Sequence, residues 1–238
     1  MWRDYKPGCA QILAGGFVLV ILIVALIAGL TSGARSGPSY IPVTGDRLAN
    51  YDFETDLNGW IPSDNFEHNA NGGALRGSAA PRDGYAFTHQ REEFRGVVIE
   101  ANITLATTTE RTSAATGIVC NARPDGSGYY FLLSSAGSAR IARVSVEGEF
   151  IPLTEWTDND IIRPVAAGNR LRAVCSQGYL GLFVNDLFVV QAEDTTRSRG
   201  LVGAALAANV ADDAPDFPRV TVDWGNVVVY EVQALSIR

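Results

Sequence analysis

Asp52, Glu54 and Asp56 stand at alternate positions in the segment Asp52-Phe53-Glu54-Thr55-Asp56. On an extended strand, alternate side chains project from one face roughly 6.8 Å apart. Two carboxyls about 5–5.5 Å apart can act as nucleophile and acid/base in retaining glycoside hydrolysis. The same hard oxygens suit calcium, or the bracing of a turn. The position of the trio, at the edge of the strand-rich region, favours these last roles over catalysis. Glu147-Gly148-Glu149 also alternates charges, but around a glycine, and reads as a solvated turn.

A second set combines aromatic and basic groups: Arg123, Tyr129, Tyr130, Trp156 and Arg172. Aromatic faces pack on the apolar faces of sugar rings, and arginine donates to hydroxyls or carboxylates. The competing assignment is structural. One of two adjacent tyrosines on a strand must point into a core, and Trp156 can pack beneath a loop.

Other chemistries are poorly supplied. His68 and His89 are the only histidines, both in polar, turn-rich surroundings that favour solvation, so a His-rich metal site cannot be built. Lys6 is the only lysine, which leaves none for Schiff-base chemistry beyond the N-terminal segment. The formal net charge of −7 repels a polyanion such as DNA, making nucleic acid a poor partner.

The elements that must position these groups read as strands. The runs are Phe94–Leu105, Thr116–Arg123, Gly128–Ser134, Ala139–Val146, Arg170–Ser176, Tyr179–Val184, Leu187–Ala192, Leu201–Ala208 and Val220–Val232. Each is rich in β-branched or aromatic residues and bounded by Gly, Asn or Asp. Asn185-Asp186 between two apolar runs predicts a hairpin, because both residues tolerate positive φ. Asp125-Gly126 marks a second tight turn. Many short strands joined by turns predict an all-β fold, an antiparallel sandwich of jelly-roll type. Alternation puts Leu171, Ala173 and Cys175 on one face, opposite Arg170, Arg172 and Val174. It also puts Ile118 with Cys120, opposite Val119, Asn121 and Arg123.

Residues Ile12–Leu30 contain no charged side chain. A helix of that length nearly covers the ~30 Å hydrocarbon core of a bilayer. Arg3, Lys6 and the amino terminus precede it, and Arg35 alone follows closely. The positive-inside rule then puts residues 1–9 in the cytoplasm, residues 10–31 in the membrane and the remainder outside. Residues 32–47, rich in Gly, Ser and Pro, read as a linker to a domain over 48–238. A cleaved signal peptide cut near Ser32-Gly33-Ala34 is the rival reading, opposed by the length of the apolar run. Cys9 precedes that run, which does not suit a lipoprotein, and reads as an unmodified cytosolic thiol.

Cys120 and Cys175 both fall on strand faces with apolar neighbours, and both lie outside the cytoplasm in this orientation. They are expected to form a disulfide, which persists in that compartment. Two buried free thiols are the alternative.

The stretch Gly117–Val229 resembles the concanavalin A-like lectin/glucanase superfamily, nearest to its laminin-G-like and family-16-glycosidase-related jelly rolls. The resemblance runs through Gly117-Ile118-Val119-Cys120 and Gly128-Tyr129-Tyr130-Phe131-Leu132-Leu133. It continues through Arg140 and Arg143, Leu153-Thr154-Glu155-Trp156-Thr157 and Asn169–Cys175. Leu182–Asp186, Gly200-Leu201-Val202-Gly203 and Val222-Asp223-Trp224 complete it. The opening Tyr51–Glu54 with Gly59-Trp60 also resembles carbohydrate-binding-module jelly rolls. The resemblance implies a structural Ca²⁺ tying first and last strands through Asp52, Glu54 and Asp223; the alternative is surface and turn-capping roles. The superfamily's glucanases carry Glu-x-Asp-x-Glu on a central strand, and no such motif stands on the central strands here. The expected function is therefore a membrane-anchored extracytoplasmic module, non-catalytic, binding carbohydrate or a cell-surface protein. A glycoside hydrolase of the same superfamily is the alternative.

Overall fold

The β-branched and aromatic runs do pair as strands, and the punctuating Gly, Asn and Asp residues turn the chain between them. The computed structural model describes residues 37–80, 84–107, 112–163, 167–210 and 219–237. The expected membrane helix, the cytoplasmic segment and Cys9 lie outside the described residues. Among the described residues no helix is long and apolar enough to cross a membrane.

The strands in chain order are β1 (Tyr40–Tyr51), β2 (Phe66–Asn69), β3 (Ala74–Ala79), β4 (Tyr85–Arg95) and β5 (Val97–Thr107). Next come β6 (Thr112–Ala122), β7 (Gly128–Ser134), β8 (Ser138–Val144), β9 (Phe150–Pro152) and β10 (Thr157–Asp158). The last are β11 (Asn169–Ser176), β12 (Tyr179–Val184), β13 (Leu187–Glu193), β14 (Arg199–Val210) and β15 (Val220–Ile237). They form two antiparallel sheets. One is ordered β13-β12-β11-β5-β15-β3-β2, with β1 also on β15. The other is ordered β10-β8-β7-β6-β14-β4, with β9 on β8. This is the expected all-β antiparallel sandwich.

The core fills the space between the sheets. Trp224, Tyr129, Phe53, Phe66 and Phe131 are among its fully buried side chains. Trp224, on β15, donates its indole N–H to the Gly117 carbonyl of the facing sheet at 3.2 Å. Its ring lies so close to Gly77 that a Cβ there would stand 2.7 Å from Cζ3. Glycine at that position is what lets β3 pass beneath the indole. Cys120 on β6 and Cys175 on β11 are joined by a disulfide between the two sheets, with Cα atoms 6.7 Å apart. Leu171, Ala173 and Cys175 face the core as alternation requires, while Val174 joins the opposite face. Asn185 and Asp186 form the expected hairpin, with φ of 51° and 68°.

Three readings of the sequence are corrected. Phe94–Leu105 is not one strand: Gly96, at φ 59°, turns the chain between β4 and β5. β-Propensity is high on both sides of the glycine and masks the turn. The linker does not extend to residue 47, because β1 begins at Tyr40 and pairs with β15 from Tyr40↔Ile237 to Tyr51↔Val227. β15 outruns β3, whose last partner is Trp224, and β1 takes over that edge from Val227 to Ile237. The ribbon is tied to the rest of its sheet by Tyr40, whose ring meets Tyr179 edge-on at 5.2 Å, and by Ser39, whose amide donates to Gln191. Finally, strict alternation fails at Asn121. Its φ of 48° accompanies a bulge, so Ala122 rather than Asn121 joins Val119 on the outer face.

Candidate functional site

The outer face of the seven-stranded sheet is apolar. Val119, Ala122, Tyr130, Leu132, Leu201 and Ala205 form a buried cluster there, with Phe87, Val144, Phe150 and Trp156 packed against it. Tyr85 of β4 stacks on Phe150 of β9, with centroids 4.9 Å apart and planes 6° apart. β4 and β9 lie at opposite sides of this sheet, separated by β14, β6, β7 and β8. Five interstrand steps on a flat sheet would put them about 24 Å apart. The sheet therefore curls until its two sides meet, and aromatic rings fill the groove. Burial accordingly raises the Tyr85 and Tyr130 pKa values, and the Tyr130 hydroxyl donates to the Gly126 carbonyl at 2.6 Å. Arg140 lies over the Trp156 ring at 4.9 Å and near Glu155 at 3.6 Å.

Chemically, the four interior strands of this sheet lack acids. β6, β7, β8 and β14 contain no Asp or Glu. A retaining or inverting mechanism needs two carboxyls flanking the bond to be cut, and these strands supply none. Clefts of about 480 and 420 Å³ lie instead on the eight-stranded sheet, beside Glu67–Arg76 and beside Asn102–Arg170.

Charge gathers at one rim, where the turn after β6 meets the segment between β13 and β14. Asp194 accepts hydrogen bonds from the Tyr129 hydroxyl at 2.8 Å, the Thr196 amide at 2.7 Å and Arg143 Nη1 at 2.7 Å. Asp125 accepts from the Ser127 hydroxyl at 2.5 Å and the Ser127 amide at 2.9 Å. Ser127 Oγ in turn accepts from Arg197 Nη2 at 2.6 Å. The bonds from Ser127 hold the Asp125 carboxyl below its ordinary range. Burial and the bond to Asp194 push the Tyr129 hydroxyl up to about 12. Burial would raise Asp194, but its hydrogen bonds from Thr196 and Tyr129, with the charge of Arg143, outweigh this and lower it.

No known family model matches this sequence, and no curated protein sequence does either. Solved structures do share the fold. A carbohydrate-binding module of family 66 from Bacillus subtilis superposes with a TM-score of 0.57 at 15% identity, over 73% of this chain and 96% of its own. A Bacillus subtilis protein of unknown function with a galectin-like fold gives 0.57 at 12% identity, over 83% and 100%. A β-glucanase of Bacillus licheniformis gives 0.56 at 11% identity, over 80% and 100%. The chain shares a jelly-roll architecture with binding modules and glucanases alike.

The five residues singled out for sugar contact are not brought together. Tyr129 points into the core and Tyr130 into the filled outer groove, so neither ring is accessible. Trp156 is partly buried under Arg140 on that outer face. Arg172 lies on the other sheet, beside Glu100 at 3.6 Å and bonded to Thr44 Oγ1 at 2.6 Å. Only Arg123 stands exposed, at the charged rim. Nor do Asp52, Glu54 and Asp223 assemble a calcium site. Asp223 gives both oxygens to Arg76 at 2.7 Å. Asp52 accepts from the Glu54 amide and Asn58 Nδ2, the turn-bracing role. Among the described residues no three His, Cys, Asp or Glu side chains gather for a metal. The histidines are not simply solvated: His68 Nε2 lies 2.9 Å from the Phe53 carbonyl, and His89 stacks on Phe87.

Sequence reading missed Arg143, Asp194 and Arg197. Asp194 and Arg197 sit in a polar segment, Asp194-Thr195-Thr196-Arg197-Ser198-Arg199, with no periodicity to mark it. The one available signal was Asp125-Gly126, which announces the turn that carries Arg123 and Ser127 to the rim.

Proposed function

We propose that residues 38–238 form a non-catalytic carbohydrate-binding module, held at the outer surface of a membrane by the apolar span at 10–31. The observation that carries the non-catalytic reading is the absence of Asp and Glu from β6, β7, β8 and β14, the interior strands beneath the ring-filled outer face, since glycoside hydrolysis needs paired carboxyls flanking the bond to be cut. The shared architecture with a carbohydrate-binding module supports the choice of ligand class. The disulfide supports the extracytoplasmic assignment, since such bonds persist in oxidising compartments.

A glycan array probed with the whole protein in neutral detergent should retain at least one carbohydrate class. The retained glycan should show no new reducing ends after prolonged incubation. Turnover that disappears on Glu54→Gln would overturn the non-catalytic reading, and retention of no glycan at all would overturn the ligand class. Topology is tested separately. Protease added outside intact cells should release the sandwich and leave a short membrane-bound stub containing Cys9. A mature protein that begins near Arg35 defeats the uncleaved anchor.

A further inference from the structure

We propose that the rim between the Arg123–Ser127 turn and the Asp194–Arg199 segment binds an oxyanion carried on a saccharide, a uronate carboxylate or a sulfate ester, through the guanidinium groups of Arg123 and Arg197. The proposal rests on the carbohydrate-binding reading and specifies its ligand.

The rim holds three arginines, Arg123, Arg143 and Arg197, against two carboxylates, Asp125 and Asp194. Both carboxylates are engaged. Asp194 serves Arg143, Tyr129 and Thr196, and Asp125 serves Ser127. Arg143 is thereby neutralised. Neither Arg123 nor Arg197 has a carboxylate within 4 Å among the described residues. Two guanidinium groups keep donors to spend.

Arg197 is fixed from three directions. Its amide donates to the Tyr129 hydroxyl at 3.0 Å, and its carbonyl accepts from Asn121 Nδ2 at 3.4 Å. Its Nη2 donates to Ser127 Oγ at 2.6 Å. A side chain whose backbone and one nitrogen are held in place loses little entropy on accepting a ligand. The remaining edge of a guanidinium is a planar fork that matches a carboxylate or sulfate with two parallel bonds.

This arrangement works against folding. Burial and the charge of Arg123 lower the Arg197 pKa from its ordinary value, against the opposing charge of Asp125. Asn121 beside it is only 5% exposed. Its Oδ1 has no donor among the described residues. Like charges held together and a buried acceptor left unbonded each cost stability. Their concentration at one rim marks a functional position rather than a structural brace. The molecule is otherwise acidic, with a net charge of −7, so an anionic glycan is repelled elsewhere and drawn here.

The test uses the whole protein in neutral detergent and a panel of acidic oligosaccharides. The panel contains galacturonate, glucuronate and mannuronate oligomers and sulfated oligomers, with the methyl-esterified uronates and neutral β-glucan and fructan oligomers as counterparts. At least one acidic oligomer should bind, and esterification should weaken it about tenfold or more. Arg123→Ala and Arg197→Ala should each weaken it about tenfold, while Arg47→Ala on β1 should not. Affinity should fall as salt rises. Unchanged melting temperatures show that the variants still fold. If Arg197→Ala does not fold, Arg123→Ala and the esterification arm decide alone. Equal binding of acid and ester, or neutral oligomers alone, overturns the oxyanion site and leaves the carbohydrate reading standing. Binding to anionic lipid vesicles with no saccharide bound overturns both.

Discussion

Replacing Cys120 and Cys175 together by alanine is expected to lower the melting temperature by about 8–16 °C. The bond joins β6 of one sheet to β11 of the other across a sequence separation of 55. In the chain-entropy model, closing a loop of that length removes about 4 kcal/mol of unfolded-state freedom. For a domain of this size each kcal/mol shifts the midpoint by about 2–4 °C. Both sulfurs are buried at 0% exposure, so alanine removes the bond without exposing a polar group. Thermal unfolding followed by circular dichroism measures the shift. Intact mass after alkylation, with and without prior reduction, checks the pairing itself. Two alkylated cysteines in the unreduced sample refute the bridge, and a double variant that melts with the parent refutes its contribution.

Trp224→Ala is expected to cost about 3–5 kcal/mol, the range for removing a buried tryptophan or phenylalanine. The indole is fully buried and is shared by both sheets, packed on Phe66 at 5.7 Å between centroids and bonded to the Gly117 carbonyl. Trp224→Phe separates the two contributions. It keeps most of the ring and forfeits the hydrogen bond, so it should cost about 1–3 kcal/mol. Denaturant midpoints at constant slope give the comparison. A phenylalanine variant as unstable as the alanine one would show that the bond to Gly117, not the packing, holds the sheets at this point. Gly77→Ala adds a further check. Its Cβ would stand 2.7 Å from the indole and 2.9 Å from Phe66 Cε1, so it should be severe in the parent and milder beside Trp224→Ala, which removes one clash and gives the Phe66 ring room to move.

The candidate site was far less legible than the fold. Of the residues chosen for sugar contact, Arg123 alone reached an exposed, charged surface. Tyr129 and Tyr130 were known to be adjacent and to face opposite ways, and they do. What alternation could not show is that the second face is buried too. That follows from the meeting of Tyr85 and Phe150 across the curled sheet, two residues 65 positions apart in β4 and β9. Arg172 is parted from the others because its strand, β11, pairs with β5 and β12 in the other sheet, which alternation does not reveal. The calcium reading failed because Asp223 has a partner, Arg76, placed opposite it only by the β3–β15 register.

What the sequence determined by itself is local. Period-two alternation sorted Leu171, Ala173 and Cys175 to one side, and the Asn185-Asp186 pair specified its hairpin, because side-chain direction and turn chemistry act over a few residues. Face assignment made Cys120 and Cys175 candidates for a bridge or for two buried thiols, and the structure joins them. The tertiary structure decided everything that depends on contacts between distant segments. It decided that β1 starts at Tyr40, because the half of β15 that outruns β3 needs a partner on that edge. It decided that Asn121 breaks alternation, because β14 pairs with β6 across a bulge. It also placed Arg197 beside Arg123, since only the pairing of β14 with β6 brings those two chain segments to one rim. Strand register and sheet curvature are set by the sum of cross-strand pairs, and no window of neighbouring residues contains that sum.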